Sequence, residues 1–403
     1  MTAATAAAVR CAGPLVVGIV GAGTMGAGIA QACLGAGHVV RLTDVAPDAV
    51  ARGRTRIADG LGRMVSGGRL TVARRAGALR RLHAASSLVD VARGADLVIE
   101  AALEDLTLKR EIFQELDAVA SAGTVLATNT SALSVDAIAA ATAHPERVLG
   151  LHFFNPAPVM ALVEVVAGEH TAAATMQCGL HFVTGLGKTP VACGDAPGFV
   201  VNRINRPFTL EALRMLEAGE ADVRAIDGAL IDAGYPMGPF TLMDLVGIDV
   251  NLAVARAIWR AFDEAPRFTP SAIQAALVEA GTLGRKSGRG FYAYGPDGRP
   301  AGVAALPLQG VAPTPAEPLA AAEIVARLEL AVINEAYHAA GEGVADPPDI
   351  DLALRLGAAH PHGPFERARA LGLGAVVRGL ARFEARYPER YRVAPALWQI
   401  AAV

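Results

Sequence analysis

Between Thr128 and Val166 the chain sets Ser131, His152, Asn155 and Glu164 into two otherwise apolar stretches, TNTSALSV and LGLHFFNPAPVMALVEVV. These side-chain types can move a proton at a carbon–oxygen bond. Histidine titrates near neutral pH, so it can take a hydroxyl proton and return it. A glutamate inside a valine run needs a partner, because burying an unpaired carboxylate is costly. His152 and Glu164 stand twelve residues apart. If their strands run side by side, the carboxylate fixes the imidazole tautomer and stabilises the protonated ring. On spacing alone, a core histidine beside a solvated glutamate is the alternative.

An acid/base pair of this kind serves a redox reaction if a cofactor lies beside it. The loop Gly21-Ala22-Gly23-Thr24-Met25-Gly26 follows the apolar run LVVGIV and opens a helix of small residues reaching about Gly35. Gly21 permits the tight turn, Gly23 lets backbone approach a pyrophosphate, and Gly26 allows helix and strand to pack closely. The helix N-terminus then faces the phosphates with free N–H groups. Asp44 ends the next strand, 23 residues after Gly21, where a carboxylate accepts hydrogen bonds from a ribose and repels a 2′-phosphate. The pattern predicts NAD. Arg41, near the same strand end, keeps NADP as the alternative.

Strand-like runs recur at 15–20, 38–43, 96–101, 124–128, 148–154 and 162–166, with helical patterns between the earlier ones, notably 106–121. That alternation predicts a doubly wound α/β domain of Rossmann type over residues 1–195. Residues 196–295 have helical periodicity and predict an all-α domain. The proline-rich stretch 296–318 reads as a linker or extended arm rather than a packed element, and helical pattern resumes over 319–403.

The two helical parts repeat each other. GYPMGPFTLMDLVG and AAHPHGPFERARALG share a P-x-G-P-F signature, each preceded by an Ile–Asp pair (Asp227 and Asp351) and, further upstream, by Glu211 or Glu335. The second copy has no equivalent of the segment after Gly281.

Composition narrows the function. A net charge of −3 over 403 residues gives no electrostatic footprint for nucleic acid or an anionic membrane. The apolar run after the first ten residues is too short to span a bilayer. Cys11, Cys33, Cys178 and Cys193 lack CxxC or metal-ligand spacing, so reduced thiols, a cytoplasmic location and no metal site are expected. Of 36 basic residues only Lys109, Lys188 and Lys286 are lysine. Positions that kept lysine against this bias read as sites needing a compact ammonium.

TNTSALSV, LGLHFFNPAPVMALVEVV, GKTPVACGDAPGFVVNRI, GYPMGPFTLMDLVGIDV and GRKSGRGFYAY, in that order, resemble the 3-hydroxyacyl-CoA dehydrogenase family, including 3-hydroxybutyryl-CoA dehydrogenases. The resemblance runs from the glycine loop to about Tyr294, and the terminal repeat resembles a second copy of the family's helical C-terminal domain, of the 6-phosphogluconate-dehydrogenase type. It implies that His152 is the general base and acid and that Glu164 orients it. Ser131 and Asn202 would hold the reacting oxygen; Glu104, Lys109, Asn155 and Lys286 would contact NAD beside Gly21, Gly23, Thr24, Met25, Gly26 and Asp44. It assigns Lys188 no role. The implied reaction is reversible oxidation of an (S)-3-hydroxyacyl thioester.

Where the family often has a lysine-rich turn for the CoA phosphates, this chain reads MVSGGRLT, with Arg63 and Arg69 as the nearest cations. An acyl-carrier-protein thioester and a 3-hydroxyadipyl substrate are therefore alternatives to a simple acyl-CoA. A dehydrogenase of free 3-hydroxyacids would use a lysine base, and a non-catalytic NAD-binding protein would not need the Ser–His–Glu–Asn set. Single-copy members dimerise through the helical domain, so either a homodimer or a pseudo-dimeric monomer, with the second copy packed on the first, is expected.

Overall fold

The computed structural model describes residues 11, 13–306 and 317–401, which divide into two compact units between Phe199 and Val200. The first is built on an eight-stranded sheet of β1 (Val16–Val20), β2 (Val39–Thr43), β3 (Leu82–Ala84), β4 (Leu97–Glu100), β5 (Val125–Thr128), β6 (Val148–Phe153), β7 (Leu162–Ala167) and β8 (Thr189–Gly194). Its helices are α1 (Thr24–Gly35), α2 (Pro47–Ser66), α3 (Val72–Arg80), α4 (Leu88–Ala92), α5 (Leu106–Val119), α6 (Val135–Ala139) and α7 (Ala173–Gly185). The strand order β3-β2-β1-β4-β5-β6-β7-β8 reverses direction beside β1, as a doubly wound sheet requires. The central strands are buried on both faces, which is why they read as continuous apolar runs.

All pairs in this sheet are parallel except β6 with β7. That one reversal sets His152 directly opposite Glu164. β3 and β8 carry no clear strand signature in the sequence. The first has only three residues, and the second contains Pro190, which an edge strand tolerates because one row of its N–H groups is not needed by a neighbour.

The second unit has helices α8 (Val201–Ile204), α9 (Arg206–Glu217), α10 (Val223–Asp232), α11 (Pro239–Val246), α12 (Ile248–Ala261) and α13 (Ala272–Glu279) from the first copy. The second copy gives α14 (Ala321–Gly341), α15 (Pro347–Gly357), α16 (Pro364–Leu371), α17 (Leu373–Arg386) and α18 (Pro395–Ala401). Both copies belong to one compact body: α14 packs on α8, α9 and α10, and α15 packs on α8.

The proline-rich stretch is not simply an arm. Its Pro300–Val303 forms β10, antiparallel to β9 (Tyr292–Tyr294), because Pro296-Asp297-Gly298 supplies turn chemistry and Gly298 adopts a φ of +72°. Residues 307–316 of the expected linker lie outside the described residues. Among the described residues no helix is long and apolar enough to cross a membrane.

Candidate active site

The glycine loop has the shape a dinucleotide needs. Gly21 has a φ of +100°, and a Cβ there would lie 2.4 Å from the Ala101 carbonyl oxygen. A Cβ on Gly26 would come within 1.8 Å of the Gly21 carbonyl oxygen, so close helix–strand packing forces glycine there. Gly23 faces open space instead, with no heavy atom within 4 Å of a Cβ built on it. Thr24 and Met25 begin α1, whose N-terminus has no side-chain cap, leaving its first N–H groups to a ligand. Asp44 is fastened to this loop: Ala22 N–H donates to its Oδ2 at 2.7 Å and Ala46 N–H to its Oδ1 at 3.2 Å. The carboxylate is held at the strand end beside the loop.

The acid/base candidates meet on the sheet. His152 Nδ1 lies 2.6 Å from Glu164 Oε2, with the two residues 6% and 0% exposed. This leaves Nε2 as the ring nitrogen not held by Glu164. Phe154 and Phe199 flank the imidazole, with ring centroids 4.5 and 5.7 Å away. Phe199 holds a φ of +50°, a conformation costly for an aromatic residue.

Ser131 follows β5 and is tied to Glu104, which follows β4. Glu104 Oε1 accepts from Thr130 Oγ1 at 2.7 Å, from Ser131 N–H at 2.8 Å, from Ser131 Oγ at 3.2 Å and from Ala132 N–H at 3.1 Å. Burial opposes ionisation of Glu104, but Lys109 and the Thr130, Ser131 and Ala132 donors outweigh it and hold its carboxyl below the usual range. Lys109 is 1% exposed, its Nζ 2.6 Å from Glu100 Oε1 and 3.4 Å from Glu104 Oε2.

Glu100, not among the residues expected from the sequence, joins this cluster. This fully buried carboxylate at the end of β4 takes Lys109, Thr128 Oγ1 at 2.7 Å and Ala102 N–H at 2.6 Å, so it ties two strand ends and α5 together. Asn129 is not among the expected residues either; its Oδ1 accepts from Phe153 N–H at 2.9 Å, beside His152. A strand-end acid with a lysine nine residues on was the available signal for Glu100.

Asn155 is exposed at the start of the turn that follows β6. Lys188, left without a role by the sequence, fastens the far end of that turn: its Nζ donates to the Met160 carbonyl at 2.6 Å. Burial pulls its ammonium below the usual lysine range. The turn also touches α1, since a Cβ on Gly28 would meet Ala157 and Pro158 at 3.2 Å.

Asn202 and Lys286 lie in the second unit. Asn202 is half-buried on α8, next to fully buried Arg203. Lys286 pairs with Asp249, its Nζ 2.5 and 2.7 Å from the two carboxylate oxygens. Burial opposes ionisation of Asp249, but this pairing pulls its carboxyl down. The loop of Lys286 is packed on Gly247 and Asp244, with Gly284 and Gly290 close enough that a Cβ would collide with Asp244.

A glycine loop at the switch of a doubly wound sheet, with a buried histidine–carboxylate pair on the same sheet, defines a nucleotide-dependent oxidoreductase site. The profile described as "3-hydroxyacyl-CoA dehydrogenase, NAD binding domain" matches residues 16–196, and that described as "3-hydroxyacyl-CoA dehydrogenase, C-terminal domain" matches both 198–294 and 324–402. The chain belongs to the 3-hydroxyacyl-CoA dehydrogenase family, and its cofactor is NAD. It is 38% identical to a 3-hydroxyadipyl-CoA dehydrogenase of Escherichia coli, over 95% of this chain and 96% of that protein. A 3-hydroxybutyryl-CoA dehydrogenase of Mycobacterium tuberculosis is 46% identical over 69% of this chain and 98% of its own length. The crystal structure of 3-hydroxybutyryl-CoA dehydrogenase from Escherichia coli superposes with a TM-score of 0.87 at 36% identity, covering 96% of this chain and 98% of that one.

Proposed function

We propose that the chain interconverts (S)-3-hydroxyacyl-CoA and 3-oxoacyl-CoA with His152 as acid and base. The observation that carries the mechanism is the His152–Glu164 pair at 2.6 Å. NAD, held at the glycine loop, would supply the acceptor and donor of the C3 hydride. The residues of the chain handle the proton and the geometry. His152 Nε2 accepts the C3 hydroxyl proton in oxidation, and Glu164, on Nδ1, stabilises the resulting imidazolium. Ser131 and Asn202 hold the C3 oxygen, and Glu104 orders the Ser131 backbone and hydroxyl. Gly23, the first turn of α1 and Asp44 hold the pyrophosphate and ribose; Asn155, Lys109 and Lys286 complete the cofactor contacts. Arg63 and Arg69, exposed around the turn between α2 and α3, take the CoA phosphates.

A dicarboxylic substrate is the second reading. It is supported by the match along both helical copies to a 3-hydroxyadipyl-CoA dehydrogenase, while the Escherichia coli structure named for 3-hydroxybutyryl-CoA spans both copies as well. Packing of the two copies into one body supports a pseudo-dimeric monomer, and the bacterial relatives support a cytoplasmic enzyme.

The test is NADH-linked reduction of acetoacetyl-CoA, measured beside 3-oxoadipyl-CoA and a carrier-protein-bound 3-oxoacyl thioester. Turnover of at least one CoA thioester is expected, with kcat in His152→Ala lowered by about 10²-fold or more. Turnover of none by folded, NAD-binding protein would refute the reaction. Near-full activity in His152→Ala would refute the mechanism.

A further inference from the structure

Helix α8 has four residues and no side-chain cap, yet it carries Asn202. A turn this short does not hold itself in water. Buried contacts from the second copy hold it, beside those with the first, such as the Phe262 ring under Arg203. Arg203, 0% exposed, has Nε 2.7 Å from Glu335 Oε1 and a terminal nitrogen 2.7 Å from Glu342 Oε2. Glu335 uses its other oxygen on Arg267 Nε at 2.9 Å. At the other end of α8, Asn205 Oδ1 lies 2.8 Å from Nε2 of His360, a buried residue between α15 and α16.

The same construction recurs in reverse. Arg327 Nε lies 2.9 Å from Glu211 Oε2, and Arg327 also pairs with Glu220. Each arginine precedes the glutamate of its own copy by eight residues and binds the glutamate of the other. This is the reciprocity of a two-fold interface built into one chain. Beside Arg327, at the place of Asn202, stands Ala326. One half of the reciprocal clamp therefore carries a polar residue beside its arginine and the other an alanine.

We propose that the second copy positions the substrate contact: Glu335, Glu342 and His360 hold α8 through Arg203 and Asn205, and so fix where Asn202 points. The inference rests on reading Asn202 as a contact to the C3 oxygen. Buried ion pairs contribute little net stability but specify geometry in some systems, and a small misplacement at a reacting centre lowers rate steeply.

The reciprocal pair supplies the control. In the full-length enzyme, kcat and KM for acetoacetyl-CoA, the Kd for NADH and amide exchange over residues 201–205 are measured for Glu335→Gln, Glu342→Gln, Arg203→Lys, Glu211→Gln and Asn202→Ala. Glu335→Gln should lower kcat by about tenfold to a hundredfold, leave the NADH Kd unchanged and speed exchange in α8. Arg203→Lys should retain more activity than Glu335→Gln, and Glu211→Gln should keep kcat within about twofold, because no polar group follows from its arginine. Should Glu335→Gln not fold, the half-exposed Glu342→Gln gives the reading, with a severalfold loss of kcat expected. Wild-type kcat in both glutamate variants, or an equal loss in Glu211→Gln, overturns the inference. Wild-type kcat in Asn202→Ala overturns the catalytic reading beneath it; loss there without loss in Glu335→Gln overturns the inference alone.

Discussion

Asp244 in the first helical copy and Arg369 in the second stand at the same place, five residues after the proline that opens α11 or α16. Asp244 receives N–H groups of Phe291 and Tyr292 at 2.9 Å and the Tyr294 hydroxyl at 3.0 Å, so it holds the segment that carries Lys286. The second copy lacks that segment, and Arg369 turns back towards Asp351 at 3.7 Å. Asn202 and Ala326 differ in the same sense. What both copies share is the crossed arginine–glutamate pairing, the aspartate at Asp227 and Asp351, and a positive-φ glycine at Gly247 and Gly372. The shared residues make packing contacts, and the divergent ones are Asn202, proposed above as a substrate contact, and Asp244, which holds the segment of Lys286.

The sharpest way to break that division is to exchange the divergent residues. Asn202→Ala makes the first copy resemble the second at α8, and kcat should fall by about a hundredfold with folding intact. Ala326→Asn makes the reverse change and should leave kcat and KM alone. Steady-state kinetics with circular dichroism as the folding check decides it. A loss of kcat in Ala326→Asn would give the second copy a direct part in chemistry.

The shared pairing should show itself in acid. Burial opposes ionisation of Glu211, but Arg214 and Arg327 outweigh it and bring its carboxyl from 4.5 down to about 2. A depressed carboxylate contributes stability that is present above its unfolded value and lost as pH falls through the folded one. The contribution is on the order of 3 kcal/mol at neutral pH, lost between about pH 4.5 and 2. Urea midpoints of the wild type and Glu211→Gln should therefore differ by a constant amount from about pH 7 to 5 and converge below that. A gap independent of pH would show that the charge of Glu211 does not hold the seam.

How much of this was legible depended on the range of each interaction. The strands around the glycine loop were readable because burial on both faces leaves an apolar run. β8 was not, since Pro190 and Gly194 break that signature. His152 and Glu164 were readable as types, but their pairing needed the register of β6 on β7, which an intervening turn does not reveal. Glu104 was expected at the cofactor; that it also grips the Ser131 loop depends on α/β crossovers bringing together residues 27 apart. Glu211 and Glu335 were visible as matched positions in the repeat. Their arginines were not, because each belongs to the other copy, 116 and 132 residues away.

The smallest expected effect tests whether the shared aspartates are equal. Asp227 accepts from Phe240 N–H at 2.9 Å, Thr241 N–H at 3.0 Å, Thr241 Oγ1 at 2.7 Å and the Tyr292 hydroxyl at 3.0 Å. Asp351 accepts from Phe365 N–H at 2.7 Å and Glu366 N–H at 3.1 Å. Both fasten the first turn of the following helix to the one before it, a cap worth about 1 kcal/mol. Asp227 has in addition the hydroxyls of Thr241 and Tyr292, the second from the segment the second copy lacks. Asp227→Ala should therefore lower stability by about 2–3 kcal/mol and Asp351→Ala by about 1–2, because removing an acceptor strands each buried donor. Equal losses in urea titrations of the two variants would mean that the extra hydroxyls, including that of Tyr292 from the segment beyond Gly281, add nothing to the helical scaffold; a larger loss at Asp227 would show that they do.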